Sequence, residues 1–254
     1  MLQPEDKFER CRWPELDEPY STALRQATRF ILETFEDTLG IIVSGTILRG
    51  QPAPSSDLDI YVIRQQPKRQ RIQRFFNAVP AEIFINPVSK VLDYFDQERQ
   101  AGRPITAHML ATGHTILDLD PVLADLRELS EQILSEPPNL GAERLTTARY
   151  LAATRYEDAV DIAANQPATA TMILNLAVHS MIKYYFLKAN RYLPRDKDLL
   201  LALSEFNPTL GDLARRFYAS SNLDERLPLA EQIADQTIET HGFFEWTSKL
   251  QLVE

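Results

Sequence analysis

Three short apolar runs rich in β-branched residues stand between residues 41 and 87: "IIVSG" (41–45), "LDIYVI" (58–63) and "VPAEIFINP" (79–87). Runs of this kind, stopped by glycine or proline, read as strands. Five of the eight glycines also fall before residue 114. After Pro87 the apolar spacing lengthens to three and four, which predicts helices over roughly 88–101, 104–113, 119–135, 141–165 and 168–190, then shorter helices to about 220 and a last one from about 225 to 250. Ahead of the strands, Leu24, Ala27, Ile31, Phe35 and Leu39 recur at helical spacing from Ser21 and are followed by Gly40, which describes an amphipathic helix with a glycine C-cap. The pattern is α+β. It divides into a strand-bearing domain over 1–115 and an all-helical domain over 116–254.

The bulk properties limit the function. A chain of 254 residues, 44% hydrophobic and 25% charged, can bury one large core or two modest ones. Its longest apolar run, "MILNLAVHSMI" from Met172, is interrupted by Asn175 and His179 and is too short to span a bilayer. The N-terminus "MLQPEDKFER" lacks the basic start and apolar core of a secretory signal, and the lone Cys11 has no partner for an intrachain disulfide, so a cytoplasmic location is expected. A net charge of -9 and a pI near 5.1 argue against sequence-independent nucleic-acid binding, and any phosphate contact must be local.

Within that frame Asp57 and Asp59 stand out. Side chains alternate along a strand, so these two share one face while Leu58 and Ile60 share the other, toward the core. Two carboxylates a few ångströms apart repel unless a cation lies between them, and hard oxygen ligands suit Mg²⁺. Alone, the pair reads first as a turn cap after Ser55 and Ser56 followed by a solvated strand residue. The preceding turn changes the balance. Gly45 lets a backbone phosphate approach closely, Thr46 offers a hydroxyl, and a short helix beginning there would present free N–H groups to an anion.

With Arg49 and Gly50 following, the stretch resembles the G-S…R-G…S-D-x-D signature of the polymerase-β-like nucleotidyltransferase superfamily, matched by Gly45, Thr46, Arg49, Gly50, Ser56, Asp57 and Asp59. Thr46 stands where the family has serine, which keeps the hydroxyl and adds a methyl. The resemblance spans residues 40–86. It implies a small mixed β-sheet with flanking helices, two Mg²⁺ ions, ATP or another nucleoside triphosphate as donor, and transfer of a nucleoside monophosphate with release of pyrophosphate. It also implies a third carboxylate from a neighbouring strand, and Glu82 is the one acid of "VPAEIFINP". There Glu82 shares a face with Phe84 and Asn86, leaving Ile83 and Ile85 for the core; Asp93 and Asp96 on the next helix are the fallback. The implied roles are metal ligation by Asp57, Asp59 and Glu82, a general base drawn from the same acids, and phosphate contacts from Gly45, Thr46, Arg49 and Ser56.

In layout, a catalytic domain followed by a helical bundle is similar to the aminoglycoside (kanamycin-type) nucleotidyltransferases, which implies a small hydroxylated acceptor bound by the helical half. Glu157, Asp158 and Asp161 lie on one helix face and form either an acidic patch for a cationic acceptor or a solvated face. "NRYLPRDKDLL" resembles a basic segment by which related helical domains reach the triphosphate, through Arg195 and Lys197 with Arg191 nearby; the other reading is a charged helix start. His179, at helical spacing among apolar residues, reads as a core histidine. Lys68, Arg69, Arg71 and Arg74 read as a solvated connection between strands, and His108 and His114, six apart, do not share a helix face as zinc ligands would. Two other readings stay open: modification of a macromolecule, either a protein side chain or tRNA, and a non-catalytic nucleotide-binding protein. A site shared by two subunits of a homodimer is also open.

Overall fold

The computed structural model describes residues 2–50 and 56–250. Short α1 (Pro4–Glu9) and α2 (Tyr20–Thr34) lead into β1 (Thr38–Ser44) and a 3-10 turn over Thr46–Arg49. Then come β2 (Leu58–Arg64), β3 (Gln70–Phe76), β4 (Val79–Pro87), α3 (Val88–Gln100), α4 (Ile105–Thr112), β5 (His114–Asp118) and α5 (Val122–Ser135). The remainder is helical: α6 (Ala142–Ile162), α7 (Pro167–Lys188), α8 (Leu199–Phe206), α9 (Pro208–Ala219) and α10 (Leu223–Thr237). None of these helices is long and apolar enough to cross a membrane.

The strands form one mixed sheet in the order β3-β4-β2-β1-β5, in which β2 and β4 run parallel and the other pairs antiparallel. Both sheet faces carry a core, which is why β2 reads as a nearly continuous apolar run. Leu58, Ile60 and Val62 of β2 with Ala81, Ile83 and Ile85 of β4 pack on Ala23, Leu24, Ala27 and Ile31 of α2. The opposite face offers Ile42, Tyr61 and Ile63 to Val91, Phe95, Ala107, Leu110 and Leu123 from α3, α4 and α5. Each of the Val, Leu, Ile and Phe side chains among them, fully buried, contributes about 1.5–3 kcal/mol.

The chain divides into two compact units, Met1–Arg99 with Pro104–Glu136, and Gln100–Arg103 with Pro137–Glu254. A break after residue 115, as the sequence suggested, would cut β5, which pairs with β1. In the second unit Ala152, Ala153, Tyr156 and Ala159 of α6 meet Leu174, Ala177, Val178 and Met181 of α7, and the small residues permit close approach of the two helices.

Other elements differ from the sequence-based expectation. The run from Lys68 is solvent-exposed as expected, but it is more than a connection, because it leads into the edge strand β3, whose exposed Gln70, Arg71, Gln73 and Arg74 keep that edge polar. β3 joins β4 through Asn77 and Ala78, both at positive φ (48° and 61°), as a two-residue hairpin loop requires. Gly40 is not a helix cap: α2 ends at Thr34, and Gly40 lies within β1, where a Cβ would fall 2.5 Å from Leu123 Cδ1. The last helix stops at Thr237, well short of 250.

A buried ion pair fastens β1 to β2. Arg64 donates from Nε and Nη2 to Asp37 at 3.1 and 2.8 Å, and the Gln66 N–H donates to the same carboxylate at 2.8 Å. Beside it the largely buried Lys7 ammonium donates to the carbonyls of Glu36 and Thr38, and burial lowers its pKa. Burial pushes the Asp37 carboxyl up, but the Arg64 and Gln66 hydrogen bonds outweigh it and hold the pKa below the ordinary 3.8. A depressed carboxyl pKa stabilises the fold above the unfolded-state value, and the contribution is lost as pH falls through the folded-state value. Asp37→Ala, which strands a buried guanidinium, should cost about 3–5 kcal/mol in urea unfolding and remove this acid-side component. A loss below about 1 kcal/mol would match an exposed pair instead.

Candidate active site

The parallel pairing of β2 with β4 sets Asp59 opposite Glu82 in register, with Leu58 opposite Ala81 and Ile60 opposite Ile83. Partners across a parallel ladder point to the same face, so Asp59 and Glu82 face one way while their neighbours enter the α2 core. Asp57, immediately before β2, keeps the same parity. Asp57, Asp59 and Glu82 each offer a carboxylate oxygen, and these oxygens all lie within 4.8 Å of one another. All three side chains are partly buried. Farther along the same face Tyr61 stacks on Phe84 at 6.0 Å and accepts a hydrogen bond from Asn86 at 3.0 Å. Burial raises the Tyr61 hydroxyl pKa well above its usual range. Tyr61 belongs to the core built with α3 and α4, whereas the acids occupy the strand starts outside it.

The turn after β1 closes on the acids from the other side. Ser44, the last residue of β1, is the register partner of Asp59. Gly45 follows at φ 105°, a conformation that side chains other than glycine's adopt only with strain. A Cβ there would also lie 3.0 Å from Asp59 Oδ2, so the glycine lets the backbone rest against the carboxylate. Thr46 opens the 3-10 turn, and its hydroxyl lies 3.1 Å from that of Ser56, tying the turn to the residue before Asp57. The side chain of Arg49 and residue Ser55 lie outside the described residues.

Three carboxylates this close repel by about 3 kcal/mol or more per pair at an effective dielectric of about 20. Part of that repulsion is offset by β3, which the sequence did not identify as a strand. Arg71 forms an ion pair with Glu82, and Gln73, the register partner of Glu82, donates to it at 3.3 Å. Both use Glu82 Oε1, so neither engages Oε2. The Arg71 guanidinium also lies over the Phe84 ring at 5.2 Å. Asp57 makes no hydrogen bond or ion pair with any described residue. Three converging carboxylates, one without a partner among the described residues, form a donor set that fits a hard divalent cation.

The other residues singled out in the sequence fall elsewhere. Asp93 is exposed beside Lys90 at 3.3 Å and Asp96 is exposed on the same helix; among the described residues the carboxylates that cluster are Asp57, Asp59 and Glu82. Arg195 donates to Asp198 at 2.6 Å and Lys197 is exposed, both at the 3-10 turn ahead of α8 in the second unit. His179 is not a core residue: its ring is 35% exposed, with Nε2 3.4 Å from Asp196 Oδ1, and burial together with Lys183 holds its pKa below the usual 6.5. His108 is exposed on α4, and His114 on β5 contacts the Arg12 carbonyl at 3.2 Å. The remaining arginines of the basic run have partners of their own: Arg69 bonds the Tyr94 hydroxyl and Arg74 lies over Phe30.

No family model and no curated protein sequence matches this chain. Among solved structures, a nucleotidyltransferase-like protein from Exiguobacterium sibiricum 255-15 is similar over 84% of this chain and 74% of its own, with a TM-score of 0.53 and 15% identity. At that identity the likeness establishes the fold: a mixed sheet with flanking helices, followed by a helical region, as in a nucleotidyltransferase-like protein.

Proposed function

We propose that the protein is a Mg²⁺-dependent nucleotidyltransferase that moves a nucleoside monophosphate, AMP in the leading case, from a nucleoside triphosphate to a hydroxyl of a small acceptor resembling an aminoglycoside. The observation that carries this reading is the convergence of Asp57, Asp59 and Glu82 beside the Gly45 turn, in a chain with a nucleotidyltransferase-like fold. Asp57, Asp59 and Glu82 are the residues that would hold two divalent ions. When bound, such ions neutralise triphosphate charge and stabilise the entering and leaving oxygens of an in-line displacement.

The chain's own groups supply position and proton transfer. Gly45 lets the main chain turn directly beside Asp59, and the Thr46 and Ser56 hydroxyls, already together, offer donors to phosphate oxygens. We assign Arg49 to the same phosphates on the strength of the motif. Arg195 and Lys197 remain candidates for the triphosphate tail, although the Arg195 contact with Asp198 fits a charged helix start equally well. Glu82 Oε2 is the oxygen best suited to take the acceptor hydroxyl proton, since Arg71 and Gln73 fix the carboxylate through Oε1.

The Arg71–Glu82 contact favours one competing reading, a nucleotide-binding protein without activity, because a guanidinium already neutralises the third acid. The basic run that suggested the macromolecule reading stays exposed, but its arginines already have partners within the fold: Arg71 pairs with Glu82, Arg69 bonds the Tyr94 hydroxyl and Arg74 lies over Phe30.

Incubation with Mg²⁺, each of four labelled nucleoside triphosphates and a panel of hydroxylated amines should give acceptor-dependent pyrophosphate release. Silence across the whole panel would leave the non-catalytic reading ahead. Asp59→Asn should lower turnover by at least about a hundredfold with the thermal melt preserved, since it removes one charge at nearly constant volume. Near-wild-type rates would refute the metal assignment. Glu82→Gln should reduce the rate far more than Asp93→Asn, and the reverse order would move the third acid to α3. Arg71→Gln should tighten Mn²⁺ binding, titrated directly without nucleotide, by about three- to tenfold because a competing cation is gone. Unchanged or weaker binding would mean that Glu82 is not a ligand.

A further inference from the structure

Arg226 is a buried cation to which the described residues bring no counter-charge. It lies near the start of α10 and is 7% exposed. Its guanidinium lies over the Phe217 ring of α9 at 4.3 Å, and Nη2 donates to Oδ1 of Asn175 on α7. Nε is buried and has no hydrogen-bond partner among the described residues. A guanidinium carries five N–H donors in a planar fork, so a single amide oxygen leaves most of them unmet. Asn175 Nδ2 makes no hydrogen bond with a described residue either, which adds donors at the same place. Buried Arg64, by contrast, meets both oxygens of the Asp37 carboxylate, at 3.1 and 2.8 Å.

The groups around Arg226 do not supply the missing charge. Among the described residues, the titratable group that couples with the guanidinium is the Tyr218 hydroxyl, which donates to the Asn175 carbonyl at 3.4 Å. Burial pushes the Tyr218 pKa up to about 12 against the pull of Arg226, so near neutral pH it is an uncharged phenol. On α10 itself, Glu225 accepts from Ser220 Oγ at 2.8 Å and Asp224 is exposed. Burial lowers the Arg226 pKa, yet a guanidinium keeps its proton at neutral pH. An ionised group held out of water without a counter-charge is destabilising, and a bound anion removes that penalty. One positive charge is matched by a monoanion, whereas a phosphate dianion would bury surplus negative charge. The fork and the amide select planar oxygen acceptors. Exposed Met172, three residues before Asn175 on the same face of α7, and the partly exposed Tyr218 ring offer apolar contact to a short carbon chain.

We propose that Arg226 and Asn175 hold the carboxylate of a small monocarboxylic acid at the junction of α7, α9 and α10. The site stands on the second unit alone and does not rest on the nucleotidyl-transfer reading. Calorimetric titration of the full chain, free of nucleotide and divalent ions and at constant ionic strength, tests it with the sodium salts of acetate, butyrate, phosphate and chloride. Saturable binding of acetate or butyrate is expected, at least about tenfold tighter than that of phosphate or chloride. The bound carboxylate should also raise the melting temperature of the wild-type chain. Arg226→Met should abolish both the binding and that rise. Arg226→Lys, which keeps the charge and loses the planar fork, should weaken binding by about tenfold with unchanged circular dichroism, so the test stands even if Arg226→Met does not fold. Saturable binding of phosphate or chloride alone, wild-type carboxylate affinity in Arg226→Lys, or no saturable heat with either carboxylate would overturn the proposal.

Discussion

The in-register parallel pairing of β2 and β4 is the constraint on which the candidate site depends. It sets Asp59 against Glu82, and since strand side chains alternate, it sends both carboxylates to one face while Leu58, Ile60, Ala81 and Ile83 enter the core with α2. A slip of one residue would bury the acids and expose the isoleucines, so the core itself enforces the convergence of charge. Burying these aliphatic side chains offsets a repulsion that the acids alone could not sustain.

Neighbouring strands complete that arrangement. β1 ends at Ser44 opposite Asp59 and turns at Gly45, whose missing side chain permits the main chain to rest near the carboxylate. β3, on the other side, brings Arg71 and Gln73 onto Glu82. One carboxylate therefore arrives already held through one oxygen, while Asp57 makes no hydrogen bond or ion pair with a described residue. Far along the same strands, Asp37 and Arg64 fasten β1 to β2, and the aromatic pair Tyr61 and Phe84 fills the space toward α3 and α4.

The features legible in the sequence were those encoded over short distances. Gly45, Thr46, Ser56, Asp57 and Asp59 lie within fifteen residues, and β2 and β4 announce themselves by apolar runs ended at turns or prolines. β3 was hidden because an edge strand needs no apolar alternation: "QRIQRFF" carries mostly polar residues, and its hairpin turns on Asn77-Ala78 without the usual glycine. Missing β3 meant missing Arg71 and Gln73, whose link to Glu82 exists only through cross-strand register. β5 was hidden by its length of five residues between helical patterns. His179 has apolar sequence neighbours but lies beside the stripe of α7 that Leu174, Val178 and Met181 bury. Gly40 looked like a cap because close packing against Leu123 and chain reversal call for the same residue.

The central claim is that Asp57, Asp59 and Glu82 form a divalent-cation site, and anomalous diffraction from a crystal soaked with Mn²⁺ and a non-hydrolysable nucleoside triphosphate tests it most directly. The account predicts an anomalous peak about 2.1 Å from oxygens of these carboxylates, with the triphosphate against the Gly45 turn. Carboxylates left without a peak at saturating Mn²⁺, with Arg71 still paired to Glu82, would contradict it.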